Sequence, residues 1–277
     1  MVSQARLVSS TLIKKNWMTD EVVRLTFSDP HIPALAVPGQ FVFLRPSPLN
    51  YPLLRRPYSL FDVDEEKGVF DLLVKVVGVG SRILSQRSER EMVDLIGPLG
   101  NGFFLSDNSG QRELLTWSDS KHLIVAGGMG IAPMHFLARR LKERGEEVVV
   151  LFGAVSRNEV LCSSEFQELG ALFVVSTEDG SLGKMGKVSS LIPEYLSRDK
   201  RIQIYACGPR GLLKEVVELS RREGLLCQVS LEERMACGLG ACRSCVCKVG
   251  TESQFEYKRV CRDGPVFRGE ELIVEKG

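Results

Sequence analysis

The sequence carries almost no net charge: 36 Lys and Arg against 35 Asp and Glu leave +1 over 277 residues. Without a basic excess there is little to neutralise phosphates, so nucleic acid is excluded as the main partner. A bilayer-length apolar run is also missing. The longest uncharged apolar stretch, Leu123 to Ala138, holds three Gly, a Pro and a His, and falls short of the roughly 18 residues a span needs. The opening MVSQARLVSSTLIKKN has neither a continuous apolar core nor a cleavage site. No signal peptide is therefore expected, and the protein is expected in the cytoplasm. No internal repeat and no low-complexity tract is found. With 44% hydrophobic and 26% charged residues, disordered and collagen-like architectures are excluded as well.

What is present in excess is cysteine in one place. Of eight cysteines, Cys162 and Cys207 stand apart, while Cys227, Cys237, Cys242, Cys245, Cys247 and Cys261 crowd the last fifth. Disulfides are disfavoured in the cytoplasm, so crowding of this kind points to metal.

The chain length suits two or three domains. Residues 1–104 read as β-rich, with strands in the Val22 to Phe27 run, 39–46, 57–63, 69–77 and 92–96. Gly, Pro and Asp punctuate them, and one short helix is predicted over 81–90. A small antiparallel barrel is the simplest arrangement. Residues 120–225 alternate strands (122–128, 147–153, 171–177, 201–208) with helices. That rhythm implies a parallel sheet, because parallel neighbours need a crossover. The polar stretch 105–120 reads as a connector. Residues 226–277 are too few to bury a core easily, which makes a metal staple reasonable.

The strongest motif is Cys237-x4-Cys242-x2-Cys245, with Cys261 after fifteen further residues. Four thiolates can hold two irons and two sulfides, and x4 followed by x2 is the plant-type spacing for a 2Fe-2S cluster. Gly238, Leu239, Gly240 and Ala241 let the backbone wrap closely and aim N–H groups at sulfur. The alternative is a structural zinc site, which usually uses two short ligand pairs. Cys247 and Cys227 read as buried thiols.

Three further motifs suggest cofactor contacts. Arg56-Pro57-Tyr58-Ser59 offers a planar cation for pyrophosphate, a flat ring and a small hydroxyl. Gly78-Val79-Gly80-Ser81 opens the predicted helix, where N–H groups can meet phosphate or simply turn the chain. Gly127-Gly128-Met129-Gly130 joins the first parallel strand to its helix. It is not a strict GxGxxG, but it permits either a pyrophosphate or close loop packing. Cys207-Gly208-Pro209 ends a later strand at the same edge, as do Thr177 to Ser181 and Ser156-Arg157.

Barrel with RPYS, then GGMGIAP, then CGP resembles the ferredoxin–NADP reductase-like superfamily. LEERMACGLGACRSCVCKV (231–249) with YKRVCRDGPVF (257–267) narrows the resemblance to electron-transfer subunits of NAD-linked (type B) dihydroorotate dehydrogenase. The resemblance implies three parts: an antiparallel FAD-binding β-barrel (1–104), a parallel-sheet NAD-binding α/β domain (120–225) and a small C-terminal 2Fe-2S domain (226–277). It implies FAD contacts from Arg56, Pro57, Tyr58, Ser59, Leu73, Val74, Lys75, Gly80 and Ser81. NAD is expected over Gly127, Gly128, Gly130, Cys207, Gly208 and Pro209. Cys237, Cys242, Cys245 and Cys261 would hold the cluster. Val74, Lys75 and Ser81 depart from the aromatic, Arg and Thr usual in the family.

The function so implied is passage of electrons from the FMN of a dihydroorotate dehydrogenase catalytic subunit, through cluster and FAD, to NAD+, in pyrimidine (UMP) biosynthesis. A heterotetramer with two of each chain is expected. Two alternatives stay open. One is the same module serving a sulfite reductase, a hydrogenase or a ferredoxin:NADP oxidoreductase. The other is a zinc-stapled binding protein without redox chemistry.

Overall fold

The computed structural model describes residues 5–49, 51–105, 121–196 and 202–274. The expected connector falls almost entirely outside them. The first part is a closed six-stranded antiparallel barrel in the order β1-β2-β5-β4-β3-β6. Its strands are β1 (Arg6–Trp17), β2 (Val22–Ser28), β3 (Phe41–Leu44), β4 (Arg56–Asp64), β5 (Val69–Lys75) and β6 (Met92–Leu99), with short helices α1 (His31–Leu35) and α2 (Val79–Gln86). Closure leaves no edge exposed.

Sequence patterning misses β1 and α1. Strand β1 turns Ser10 inward, and its hydroxyl donates to Asp29 Oδ2 at 3.0 Å, so the usual apolar alternation is broken by a satisfied polar pair. Strand β5 shows the alternation cleanly. Phe70, Leu72 and Val74 fill the barrel, while Leu73 and Lys75 face outward into a cleft. Strand β3 is buried on both faces. Val42 and Leu44 enter the barrel, and Phe41 and Phe43 pack against the cysteine segment.

The second part is a seven-stranded sheet, order β10-β9-β8-β7-β11-β12-β15. It contains β7 (Lys121–Gly127), β8 (Glu147–Ala154), β9 (Leu172–Thr177), β10 (Lys184–Met185), β11 (Ile202–Cys207) and β12 (Leu226–Ser230), with helices α3 (Ala132–Glu143), α4 (Ser163–Glu168), α5 (Ile192–Tyr195) and α6 (Arg210–Glu223). Strand β12 corrects the division expected at residue 225. It pairs parallel to β11 and carries the sheet into the cysteine segment, whose β15 (Val266–Arg268) closes the sheet antiparallel to it. The remaining strands, β13 (Val246–Gly250), β14 (Phe255–Arg259) and β16 (Leu272–Ile273), form a small sheet beside the helical turn α7 (Val260–Asp263).

The cysteine segment is wedged against the barrel. A Cβ on Gly100 would stand 2.5 Å from Pro265, and one on Gly238 would stand 2.7 Å from the Phe43 ring. Asn101 N donates to Gly264 O at 2.6 Å, and Gln228 brackets the main chain of Phe104 with both amide atoms. None of the described helices is long and apolar enough to cross a membrane.

Candidate functional site

A cleft of about 650 Å³ lies where the three parts meet. The barrel contributes Arg56, Pro57, Tyr58, Ser59, Leu73 and Lys75, all expected at a flavin site, together with Phe41 and Leu54. The α/β part contributes Met129 and Ala132 from the turn after β7, and the cysteine segment contributes Ser230 to Met235 and Pro265. The contribution of residues 230–235 was not legible from motifs. It follows from β12 delivering its C-terminal end to the sheet edge where α/β proteins bind ligands.

Two neighbouring arginines are separated by their partners. Arg55 is committed: its Nη2 donates to both Asp94 oxygens, at 3.0 and 2.9 Å. Among the described residues, Arg56 Nη1 donates to the carbonyls of Leu54 and Arg55. Its Nε lies 3.2 Å from where a Gly80 Cβ would stand. The guanidinium and the N-terminus of α2 therefore share one corner, a fit for an anion such as a pyrophosphate. Burial pushes the Tyr58 hydroxyl up to about 12, against the opposing pull of Arg56, so the ring presents a neutral flat face. Lys75 Nζ lies 3.4 Å from Glu21. Glu233 is paired with Arg210. The carboxyl of Glu232 is held above its ordinary range by the protein crowded around it.

Three expected contacts are placed elsewhere. The Val74 side chain is fully buried in the barrel, because its neighbours Leu73 and Lys75 take the outward positions; the side chain does not line the cleft. The Ser81 hydroxyl accepts from Val77 N and Gly78 N at 3.0 and 3.1 Å and shapes the α2 turn. Cys207 is fully buried, its thiol driven well above the usual range first by burial. It is a core group beneath the cleft, not a group at its edge.

The glycines after β7 divide in the same way. A Cβ on Gly130 would lie 2.3 Å from Cys207 O, and one on Gly127 would lie 3.0 Å from Pro209 Cδ. Those two residues let the turn pack against the Gly208-Pro209 turn, backbone to backbone. Gly128, at φ +53°, has nothing within 4 Å and is the position left open for a ligand.

The four motif cysteines converge in two pairs. Side chains of Cys237 and Cys242 interact, and Cys242 N points at Cys237 Sγ from 3.4 Å. Side chains of Cys245 and Cys261 interact likewise, and Cys261 N points at Cys245 Sγ from 3.5 Å. Further amides face sulfur: Gly240 N to Cys261 Sγ at 3.1 Å and Leu239 N to Cys237 Sγ at 3.4 Å. Left-handed backbone at Gly238 and Gly240 (φ +68° and +81°) makes this wrapping possible.

Arg259 locks the far side, with Nε and Nη2 on the Asp263 carboxylate at 2.8 and 2.9 Å and Nη1 on Gly240 O at 3.3 Å. Burial, then Cys245, raises the Cys261 thiol to about 12, while Ser244 lowers Cys242 to about 6. Among the described residues no three His, Cys, Asp or Glu side chains close around one ion. A 2Fe-2S centre needs only two thiolates on each iron, which is the pairing seen.

Comparison with known proteins agrees with this geometry. Residues 9–104 match an oxidoreductase FAD-binding domain, 124–218 an oxidoreductase NAD-binding domain, and 232–273 the iron-sulfur cluster binding domain of dihydroorotate dehydrogenase B. The chain is 41% identical over 251 residues to the dihydroorotate dehydrogenase B (NAD(+)) electron transfer subunit of Desulforamulus reducens, covering 91% of this chain and 92% of that one. It is 39% identical over 274 residues to the subunit of the same name from Caldanaerobacter subterraneus, covering 98% of each. Among solved structures, an NADH-dependent reduced ferredoxin-NADP oxidoreductase superposes with a TM-score of 0.81 at 30% identity, over 96% of this chain and 90% of that one. The chain belongs to the family of electron transfer subunits of the oxidoreductase dihydroorotate dehydrogenase B, binding FAD, NAD and an iron-sulfur cluster.

Proposed function

We propose that the chain accepts electrons from the FMN of a dihydroorotate-oxidising (β/α)8 partner subunit and delivers them to NAD+, working in the cytoplasm within a heterotetramer of two of each chain. The observation that carries this is the shared cleft. Its walls come from the barrel, from the turn after β7, and from the segment that runs directly into Cys237. Flavin is the group that exchanges electron pairs with nicotinamide and single electrons with an iron-sulfur centre.

The residues supply position and environment. Arg56 and the α2 turn around Gly80 would hold the pyrophosphate of FAD. Pro57, Tyr58 and Ser59 would face its ring, with Leu73 and Lys75 on the adjoining wall of the cleft. Gly127, Gly128, Gly130, Gly208 and Pro209 shape the nicotinamide-nucleotide site, with Gly128 its open position. Met129, Ala132 and Met235 exclude water from the junction, which strengthens every charge interaction inside it. Cys237 and Cys242, paired with each other, and Cys245 and Cys261, paired likewise, would supply the thiolates that hold the cluster. The Gly238 contact with Phe43 fixes the cluster loop to the strand that pairs with the flavin-binding β4.

Co-expression with a dihydroorotate dehydrogenase catalytic subunit tests this. The two chains should co-purify with flavins and iron and make orotate with NAD+ as acceptor. Cys245→Ser should abolish NAD+ reduction while dihydroorotate oxidation by an artificial acceptor persists. An NAD+-dependent rate unchanged by Cys245→Ser would refute the route.

A further inference from the structure

Two stretches singled out by sequence are not used by the cleft: Ser156-Arg157 after β8, and Thr177 to Ser181 after β9. Strand β8 is the neighbour of β7, and β9 the neighbour of β8. A dinucleotide whose pyrophosphate meets the turn after the first strand places its adenosine ribose at the end of the next one. There an acidic group accepts the 2′-hydroxyl of NAD, whereas an arginine takes the 2′-phosphate of NADP. The residue at that end is Arg157, which by type alone argues for NADP.

The structure gives Arg157 a different task. Its main-chain N–H donates to Ser181 Oγ at 2.8 Å, and its Nε and Nη2 both donate to the Ser181 carbonyl, at 3.1 and 2.9 Å. Asp179 holds Ser181 in turn: Oδ1 accepts from Ser181 N at 2.9 Å and from Ser181 Oγ at 2.6 Å. The loop is pinned from below. Glu178 N and Asp179 N donate to Ala154 O and Val155 O at 3.1 and 3.2 Å, and Thr177 Oγ1 bonds both the N and the O of Leu182. A Cβ on Gly183 would stand 2.0 Å from Val175 O, so the loop has no slack.

Charge points the same way. The two stretches carry Glu159, Glu178 and Asp179 against one cation, Arg157. Hydrogen bonds from Ser181 hold the Asp179 carboxyl below its usual range, so it is ionised at neutral pH. The cations that follow are committed, Lys184 to Glu194 and Lys187 to Glu215.

We propose that Asp179 and Ser181 make the chain select NAD over NADP, by turning Arg157 onto its own backbone and leaving an acidic edge where a 2′-phosphate would sit. The inference rests on the turn after β7 being the nucleotide site. Calorimetric titration of the flavin- and cluster-loaded chain with ADP-ribose and 2′-phospho-ADP-ribose tests it. Wild type should bind ADP-ribose about tenfold or more tightly than the phosphorylated probe, the size expected of one charge-assisted contact.

Asp179→Ala should narrow that ratio to about threefold or invert it, chiefly by tightening the phosphorylated probe. Adding Arg157→Ala to that variant should weaken the phosphorylated probe again and leave ADP-ribose unchanged. A ratio unaltered by Asp179→Ala, or a wild-type preference for the phosphorylated probe, would overturn the selectivity while keeping the site. Binding of neither probe would overturn the site and the selectivity together.

Discussion

Arg55 and Arg56 are adjacent in sequence and opposite in use. The first spends its guanidinium on Asp94; the second faces the cleft. Arg56→Ala is therefore expected to weaken FAD binding about tenfold or more, as loss of a hydrogen bond to a charged group of ~1.5–3 kcal/mol implies, with little change in melting temperature. Arg55→Ala should do the reverse. Flavin release measured by fluorescence beside thermal melts separates the two.

The cysteines divide similarly. Serine in place of Cys237, Cys242, Cys245 or Cys261 should each remove the cluster absorbance. Cys247→Ser should leave it, since Cys247 packs against the core and makes no part of the two sulfur pairs. Loss of the cluster in the Cys247 variant would assign that thiol a ligand's role. Spacing singles out four cysteines that the structure brings together as two pairs, because they sit within one loop plus one anchor. The fate of Arg55 was not legible, because Asp94 lies 39 residues away.

At the scale of elements, the glycine turns are the informative ones. Gly130 faces the Cys207 carbonyl, so a methyl there meets backbone that cannot move aside. Gly130→Ala should destabilise the protein by ~2 kcal/mol or more whether or not nucleotide is present, read as equal losses in melting temperature with and without NAD. Gly238→Ala combines φ +68° with a 2.7 Å approach to Phe43. The backbone cost alone is about 1–2 kcal/mol. The variant should shift the cluster loop from β3 and lower iron content, measured per chain by colorimetric assay.

Most strands were legible from runs of apolar residues between turn signals. Strand β1 was not, because its core-facing Ser10 is satisfied by Asp29 rather than by apolar contact. Strand β12 joins the α/β sheet past the boundary expected at residue 225, because sequence does not reveal which sheet a buried five-residue strand will join. The inward turn of the Val74 side chain was not legible, because a resemblance names positions, whereas the pleat decides which side each one faces.

Across the whole molecule, the cysteine segment belongs to both neighbours. It shares β12 and β15 with the α/β sheet and presses Pro265 on Gly100 of the barrel, so cluster and cleft are held in one rigid arrangement. Acid should loosen this body through His122, buried behind the sheet with its Nδ1 3.2 Å from Tyr205 Oη. Burial, then Arg144, lowers His122 from 6.5 to about 4. The unfolded chain therefore binds the proton first as pH falls. The stabilisation from keeping this ring neutral is complete above about 6.5 and is lost as pH drops through about 4. His122→Gln should flatten that limb of the stability–pH curve, removing a dependence on the order of 2–3 kcal/mol, as denaturant melts at pH 7 and pH 4.5 would show.

Electrons are expected to pass between a nicotinamide-reducible flavin and a cluster within this one chain. Anaerobic titration of the purified, iron- and sulfide-reconstituted protein with NADH, followed by optical and paramagnetic resonance spectra, tests it most directly. The expected result is bleaching of flavin absorbance with appearance of a reduced 2Fe-2S signal, the second lost and the first kept in Cys245→Ser. Flavin bleaching with no paramagnetic cluster signal in the wild-type chain, or the absence of any flavin to bleach, would contradict it.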